Sequence, residues 1–207
     1  MKERIQEKAK DLFMRYGFKS VTMDEIASQM RVSKKTIYHY FVDKDALVEA
    51  VMLSEMEQMQ AVGINQSKGA VDAIDEILKD MDMMEMVMKT MNPQIIFDLE
   101  KFYPGTYSKF KNHKNSFMLD LIKHNLKRGI EEGLYRPEID IDIIAKFRLE
   151  SAFIALNQEI YPYGKYSLMK VSSEIYFTYL HGIVTVKGKS LIEKYIQQRE
   201  KNKSITV

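Results

Sequence analysis

The chain of 207 residues contains no cysteine. Disulfides, thiolate metal sites and cysteine nucleophiles are therefore excluded, and a reducing compartment is compatible with the composition. Proline and glycine are sparse, at 4 and 9 residues. So little punctuation leaves long uninterrupted stretches, and their dominant period is helical. No apolar run approaches the roughly 20 residues that a membrane-spanning helix needs. The opening "MKERIQEKAK" is charged and amphipathic, unlike a secretory leader, so the default location is cytoplasmic. A large charge of one sign is also missing. Lys and Arg total 31 against 29 Asp and Glu, a net +2, which by itself argues for no polyanionic partner.

Catalytic signatures are absent too. There is no glycine-rich phosphate loop, no G-x-S-x-G and no H-E-x-x-H. His113 and His124 fall on one helical face but about 16 Å apart along the axis, too far to share an ion. His181 is isolated in an apolar helix. The scattered Asp and Glu fit solvated faces. No cofactor, no metal and no enzymatic activity are expected.

What the first 50 residues do contain is one short device used three times: "VTMDEI", "VSKKTI" and "VDKDAL". Each has a valine, a capping residue, and an aliphatic four residues beyond the cap. Thr22, Ser33 and Asp43 can each accept a bond from a free first-turn N–H. The valine and the aliphatic can close as a hydrophobic staple, and Thr22 with Glu25 adds a capping box. Gly17 is a candidate left-handed C-cap for the helix before, with Phe18 packing back on Phe13. The spacing predicts helices over residues 2–16, 23–30 and 34–41, and a fourth from Lys44. The second and third, joined by about three residues, make a helix-turn-helix.

The third helix is too short to stand alone, so its neighbours must clamp it. At 100° per residue, Ile37, Tyr40 and Phe41 share one arc, the side to bury. Lys34, Lys35, Thr36, Tyr38 and His39 share the other. Between Arg31 and Lys44 stand four cations and a single anion, Asp43. Two helical turns span about 12 Å, comparable to the B-DNA major groove. Lysines at that helix start can reach phosphate or a guanine edge, and a threonine methyl can touch a thymine methyl. The capped starts at Thr22, Ser33 and Asp43 offer free N–H groups to phosphate. A packed three-helix unit with a merely solvated basic face is the plainer alternative. The conjunction of caps, spacing, cations and the Tyr-His pair favours double-stranded DNA.

"GFKSVTMDEIASQMRVSKKTIYHYFVDKDAL", residues 17–47, resembles the DNA-binding region of the TetR family of bacterial transcriptional regulators. The matching elements are T-x-x-x-I-A opening the second helix, V-S-x-x-T-I-Y-x-Y-F for the third, and the lysine that opens the fourth. The resemblance implies that Thr22, Tyr40 and Lys44 contact phosphates while Lys34, Lys35, Thr36, Tyr38 and His39 approach the groove. With Ser33, these form the candidate DNA-binding set. It also implies an all-α protein with an N-terminal three-helix helix-turn-helix DNA-binding unit over 1–47. A C-terminal helical ligand-binding and dimerisation domain would follow over 48–207.

In the rest of the chain, helices are expected over about 44–61 and 68–90, and from Pro93. Another is expected over about 106–132, ending at Gly133. Further helices follow over 140–161 and 166–187, with a short one after Gly188. "MDMMEMVMKTM" holds six of the 15 methionines. These are either core filler or, with aromatics, a pliable pocket wall. Met84, Met88, Phe97, Tyr103, Tyr107 and Phe117 are the candidate effector-pocket residues. In "SEIYFTYLHGIVTVKG", apolar residues cover more than half the circumference, more than one core-facing stripe needs. The helix is either buried centrally in a monomer or part of a homodimer interface. Phe153, Ile154, Tyr176, Tyr179, Leu180 and Ile183 are the candidate interface residues, with Gly182 permitting close approach.

The expected function is a sequence-specific DNA-binding regulator. It would act as a homodimeric repressor on a near-palindromic operator and be released by a small apolar effector, with the fourth helix as candidate lever. The alternative is a DNA-bound scaffold that contacts a protein partner and takes no small ligand.

Overall fold

The structure is a computed structural model and describes residues 1–162 and 164–205, without the side chains of 200 and 202–205. Among the described residues there are eleven α-helices and one π-helical turn. Helices α1 (Lys2–Tyr16), α2 (Met23–Met30) and α3 (Lys34–Tyr40) are followed by α4 (Lys44–Gly69) and α5 (Ala73–Thr90). Next come α6 (Ile95–Phe102), α7 (Pro104–His113), the π turn (Lys114–Met118) and α8 (Leu119–Glu131). The remainder is α9 (Ile141–Ile154), α10 (Leu168–Ile183) and α11 (Val186–Ile205). An isolated antiparallel bridge pairs Tyr135 with Val184. The all-helical expectation agrees with this architecture.

The chain folds as two compact units. The first holds Met1–Ala61 and Met86–Ser116, the second Val62–Glu85 and the chain from Phe117 onward. The core of the first is built on period. Ile5, Ala9 and Phe13 recur every four residues on α1 and are completely buried, the stripe a one-sided helix requires. Ile26 of α2, Ile37 of α3 and Leu47 of α4 join them, each at 0% exposure. Phe18 meets Phe13 with centroids 5.2 Å apart and Tyr103 edge-on at 5.8 Å. The start of α6 is tied to this core twice. The Asn92 N–H donates to the Met14 carbonyl at 2.5 Å, and the Lys19 N–H to the buried Asp98 carboxylate at 3.0 Å.

The second core draws on α5, α8, α9, α10 and α11. Its centre is Tyr135, fully buried just past α8. A β-carbon on Gly129 would lie 2.1 Å from that ring, so only glycine lets the tyrosine cross the helix there. Where α10 ends, Val184 turns extended and the Thr185 N–H donates to the Leu134 carbonyl at 2.9 Å. The Thr185 hydroxyl accepts the Gly188 N–H at 3.1 Å and so starts α11.

Several expected boundaries move. Helix α4 continues to Gly69, and α5 starts at Ala73 rather than near 68, because Asp72 accepts the N–H groups of Ile74 and Asp75 at 2.9 Å. The long helix expected over 106–132 begins at Pro104 and is interrupted by the π turn, where the Ser116 hydroxyl donates to the Asn112 carbonyl. Helix α9 stops at Ile154 and α10 at Ile183, each short of expectation, while the helix expected to be short after Gly188 runs 20 residues. Gly17 has φ 85° and ψ 157°, a positive-φ turn other than the left-handed cap anticipated.

Candidate nucleic-acid interface

The helix-turn-helix is positioned by its caps. The Thr22 side chain accepts the Glu25 N–H at 3.1 Å while the Thr22 N–H donates to the Glu25 carboxylate at 2.9 Å, a complete capping box. Ser33 repeats the device on α3: its hydroxyl accepts the Thr36 N–H at 3.1 Å and lies 2.8 Å from the Thr36 hydroxyl. Asp43 accepts the Ala46 N–H at 2.7 Å and opens α4. Between α2 and α3 the chain turns through Arg31, held left-handed at φ 56°. Its N–H bonds back to the last turn of α2. A non-glycine residue in that region is uncommon and reflects a turn fixed from both sides.

Helix α3 has a single fully buried side chain, Ile37. Around it Ser33, Lys34, Lys35, Tyr38 and His39 are exposed and Thr36 is half-buried. The anticipated buried arc needs one correction. Phe41 is buried at 4% exposure, but Tyr40 is 38% exposed. The cause is that α3 ends at Tyr40. Phe41 takes an extended conformation and fills the inward position itself. Tyr40 instead meets His39 edge-on at 4.9 Å, with both rings outside.

The cations differ in how free they are. Lys34 pairs with Asp24 of α2 at 2.8 Å and lies 5.9 Å from the Tyr38 ring. The hydrogen bond to Asp24 lifts its pKa above the ordinary lysine value, so it stays charged but is partly neutralised. Lys35 is exposed and forms no ion pair among the described residues. Lys44 is drawn inward, its ammonium 6.0 Å from the Phe13 and Tyr103 ring centroids. Burial pulls its pKa down, opposed by Asp98, Asp45 and Glu25. Asp24 and Asp98 escaped the sequence reading. The Lys34 spacing to Asp24 across the turn was the available signal for the first, while nothing local marks the second.

The candidate pocket residues divide between the units. Met84 and Phe117 lie half-buried in the second unit. Met88, Phe97, Tyr103 and Tyr107 belong to the first, where Tyr103 is core at 7% exposure and Phe97 is 54% exposed. Of the candidate interface residues, Tyr176, Tyr179, Leu180 and Ile183 lie within the second core, none above 6% exposed. Phe153 is half-buried and packs against that core, and Ile154 is 41% exposed. The outward face of α9 also shows Ile143 at 64% and Phe147 at 56%. On α10, Thr178, His181 and Gly182 are exposed, with open space over Gly182.

Comparison with known proteins places this geometry. The family model described as "Bacterial regulatory proteins, tetR family" matches residues 5–51, the whole of α1 to α3 and the start of α4 except the first few residues. The HTH-type transcriptional regulator UidR of Escherichia coli K12 is 22% identical over 152 residues, 72% of this chain and 76% of that one. The HTH-type transcriptional repressor KstR2 of Mycobacterium tuberculosis is 20% identical over 191 residues, 89% of this chain and 92% of its own. A crystal structure of a transcriptional regulator from Saccharomonospora viridis in complex with choline shares the fold. Its TM-score is 0.72 at 17% identity, covering 89% of this chain and 97% of that one. These relatives are regulators of transcription and not enzymes. Among the described residues, no helix is long and apolar enough to cross a membrane.

Proposed function

Starting from a chain that belongs to the TetR family of helix-turn-helix transcriptional regulators, we propose that it is a homodimeric repressor of a near-palindromic operator, released by a small effector. The observation that carries the reading is α3: a helix with one buried anchor, Ile37, and an outer face of Lys35, Thr36, Tyr38 and His39. In this reading Lys35 and Tyr38 enter the major groove. Lys34 joins them after exchanging Asp24 for phosphate. Thr22, Ser33, Tyr40 and Lys44 hold the backbone, Lys44 after its ammonium swings out. In this reading residues 1–47 carry DNA binding and 48–207 effector binding and dimerisation, a functional division that differs from the two compact units, in which 86–116 pack with 1–61.

The apolar stripe of Ile143, Phe147 and Ile154, beside Thr178, His181 and the open Gly182, supports pairing with a second copy through α9 and α10. The buried Tyr176, Tyr179, Leu180 and Ile183 stiffen that face from beneath, and Phe153 flanks it. Two recognition helices would then read half-sites about 34 Å apart, or a multiple of that. For release, the effector must bind the arrangement that does not fit DNA more tightly than the one that does. The relative in complex with choline supports a ligand-responsive helical domain. Met84, Met88, Phe97, Tyr103, Tyr107 and Phe117 stay the candidates for apolar contact with it.

The test is selection of bound sequences from a randomised duplex pool, read by fluorescence anisotropy. Wild type should enrich a near-palindrome that a Lys35→Ala/Tyr38→Ala double variant loses, with affinity down roughly tenfold or more and a shallower salt slope. Equal binding by the variant would remove specificity from α3. Phe147→Glu should dissociate the dimer in analytical ultracentrifugation, and an unchanged dimer would place the interface elsewhere.

A further inference from the structure

Two lysines outside the helix-turn-helix meet at the end of α6. Lys19 and Lys101 are both exposed, and both hold their ammonium groups near the half-buried Phe102 ring, 5.0 Å and 5.6 Å from its centroid. Lys101 also lies 5.3 Å from the Phe97 centroid. Neither lysine forms an ion pair among the described residues. The next residue, Tyr103, has the Lys44 ammonium 6.0 Å from its ring centroid. Lysines from three separate stretches of chain thus converge on two consecutive aromatic residues, all within the first compact unit.

Two like charges that share one ring repel each other, and an exposed cation–π contact is weak. Such a pair gains from an anion that both can reach. The backbone that carries it is held more firmly than the ammonium groups. The Lys19 N–H donates to the buried Asp98 carboxylate of α6 at 3.0 Å. Gly17 permits that approach, since a β-carbon there would stand 3.0 Å from the same carboxylate oxygen. Lys101 follows Asp98 on the same helix. Lys19 also precedes the Thr22 cap by three residues, so their α-carbons are at most about 11 Å apart. That is about the rise of three base steps along one DNA strand.

We propose that Lys19 and Lys101 extend the DNA interface onto α6, gripping phosphates beside those met by Thr22 and Lys44. This rests on the DNA-binding reading above. The partner is the double-stranded DNA backbone, and the contact carries no base preference. The two ammonium groups leave the Phe102 ring for phosphate, while Asp98 keeps the Lys19 backbone in place.

The experiment uses the full chain and fluorescence anisotropy on the duplex that wild type enriches, between about 50 and 200 mM salt. A Lys19→Ala/Lys101→Ala double variant should lower the salt slope by roughly two, so that the affinity ratio of wild type to variant shrinks roughly tenfold across that range. It should enrich the same sequence as wild type. Lys19→Arg/Lys101→Arg keeps both charges and should keep the wild-type slope. Lys111→Ala removes another exposed lysine that rests near a ring, that of Tyr107 at 5.1 Å, but from α7, and should leave the slope unchanged. Should the double variant melt early, Lys19→Gln and Lys101→Gln are read singly, each lowering the slope by roughly one. An unchanged slope, a fall as large per charge for Lys111→Ala, or a different enriched sequence would each overturn the proposal. An enriched operator with unchanged slopes removes only the extension onto α6. If wild type enriches no sequence, the operator reading falls, while the slopes on random duplex still decide the two lysines.

Discussion

In the first unit the polar side chains that matter stand outside a small apolar core. Thr22, Ser33, Lys34, Lys35, Tyr38 and His39 are all exposed. In the second unit the corresponding side chains are inside. Asn125 donates to the Ala73 carbonyl at 2.9 Å, and the Tyr135 hydroxyl lies 3.0 Å from the same carbonyl. Arg148 and Tyr176 are nearly as deep. An exterior polar set can exchange partners with water or phosphate at little cost. An interior set is paid for by specific partners and rigidifies what surrounds it. The difference suits the proposed roles, with DNA met by the first unit and a ligand-responsive arrangement held by the second.

The largest effect that would break this contrast is at Tyr135. Tyr135→Ala should lower unfolding free energy by about 4 kcal/mol, through a large cavity and an Asn125 side chain left short of a partner. Urea denaturation reads it, and a loss under about 1 kcal/mol would mean the interior network does not hold the second unit. Next is Ile37→Ala, which removes the sole fully buried side chain of α3. It should cost about 3 kcal/mol and abolish operator binding, although Ile37 touches no DNA in the proposed docking. Retained binding would mean that α3 is positioned without its core anchor.

The caps give a smaller effect. Ser33→Ala should cost about 1 kcal/mol, and Ser33→Gly less. Equal losses from both would shift the explanation from the cap to α3 backbone entropy. The smallest effect is electrostatic. Asp142 of α9 bridges Lys123 of α8 at 2.6 Å and Lys146 at 2.6 Å. The hydrogen bonds from Lys123 and then Lys146 lower its pKa from 3.8 to about 2. A depressed carboxylate stabilises the fold fully above its unfolded value and loses that contribution as pH falls through about 2. Asp142→Asn should therefore trail wild type slightly at pH 6, the gap narrowing as pH falls below 3.8 and closing only as it passes below about 2. A gap as wide at pH 2.5 as at pH 6 would rule out the charge as its source.

The head was legible because its signals are local. A cap and the N–H it satisfies are three residues apart, as with Thr22 and Glu25, so α1 and α2 come out of the sequence with the bounds the structure has. Tyr40 shows where that stops. Its helical phase pointed inward, but the end of α3 one residue early gave the inward place to Phe41. In the body, the apolar breadth of α10 was visible. Which of its residues face outward was not, because that depends on α5 and α9 covering Tyr176, Tyr179 and Leu180. Arg148 carried no sequence signal at all, since a lone arginine on a helix is ordinarily solvated.

What the sequence alone determined is therefore the all-helical class, the three capped starts, the short third helix and the resemblance of residues 17–47 to the TetR DNA-binding region. All are set by contacts within about four residues. The tertiary structure alone decided that the Tyr135 hydroxyl meets the Ala73 carbonyl, that the Thr185 N–H pairs with the Leu134 carbonyl, and that Arg148 is buried with Asp80 at 3.5 Å. Each of these joins residues separated along the chain, and no local pattern encodes the distance at which they meet.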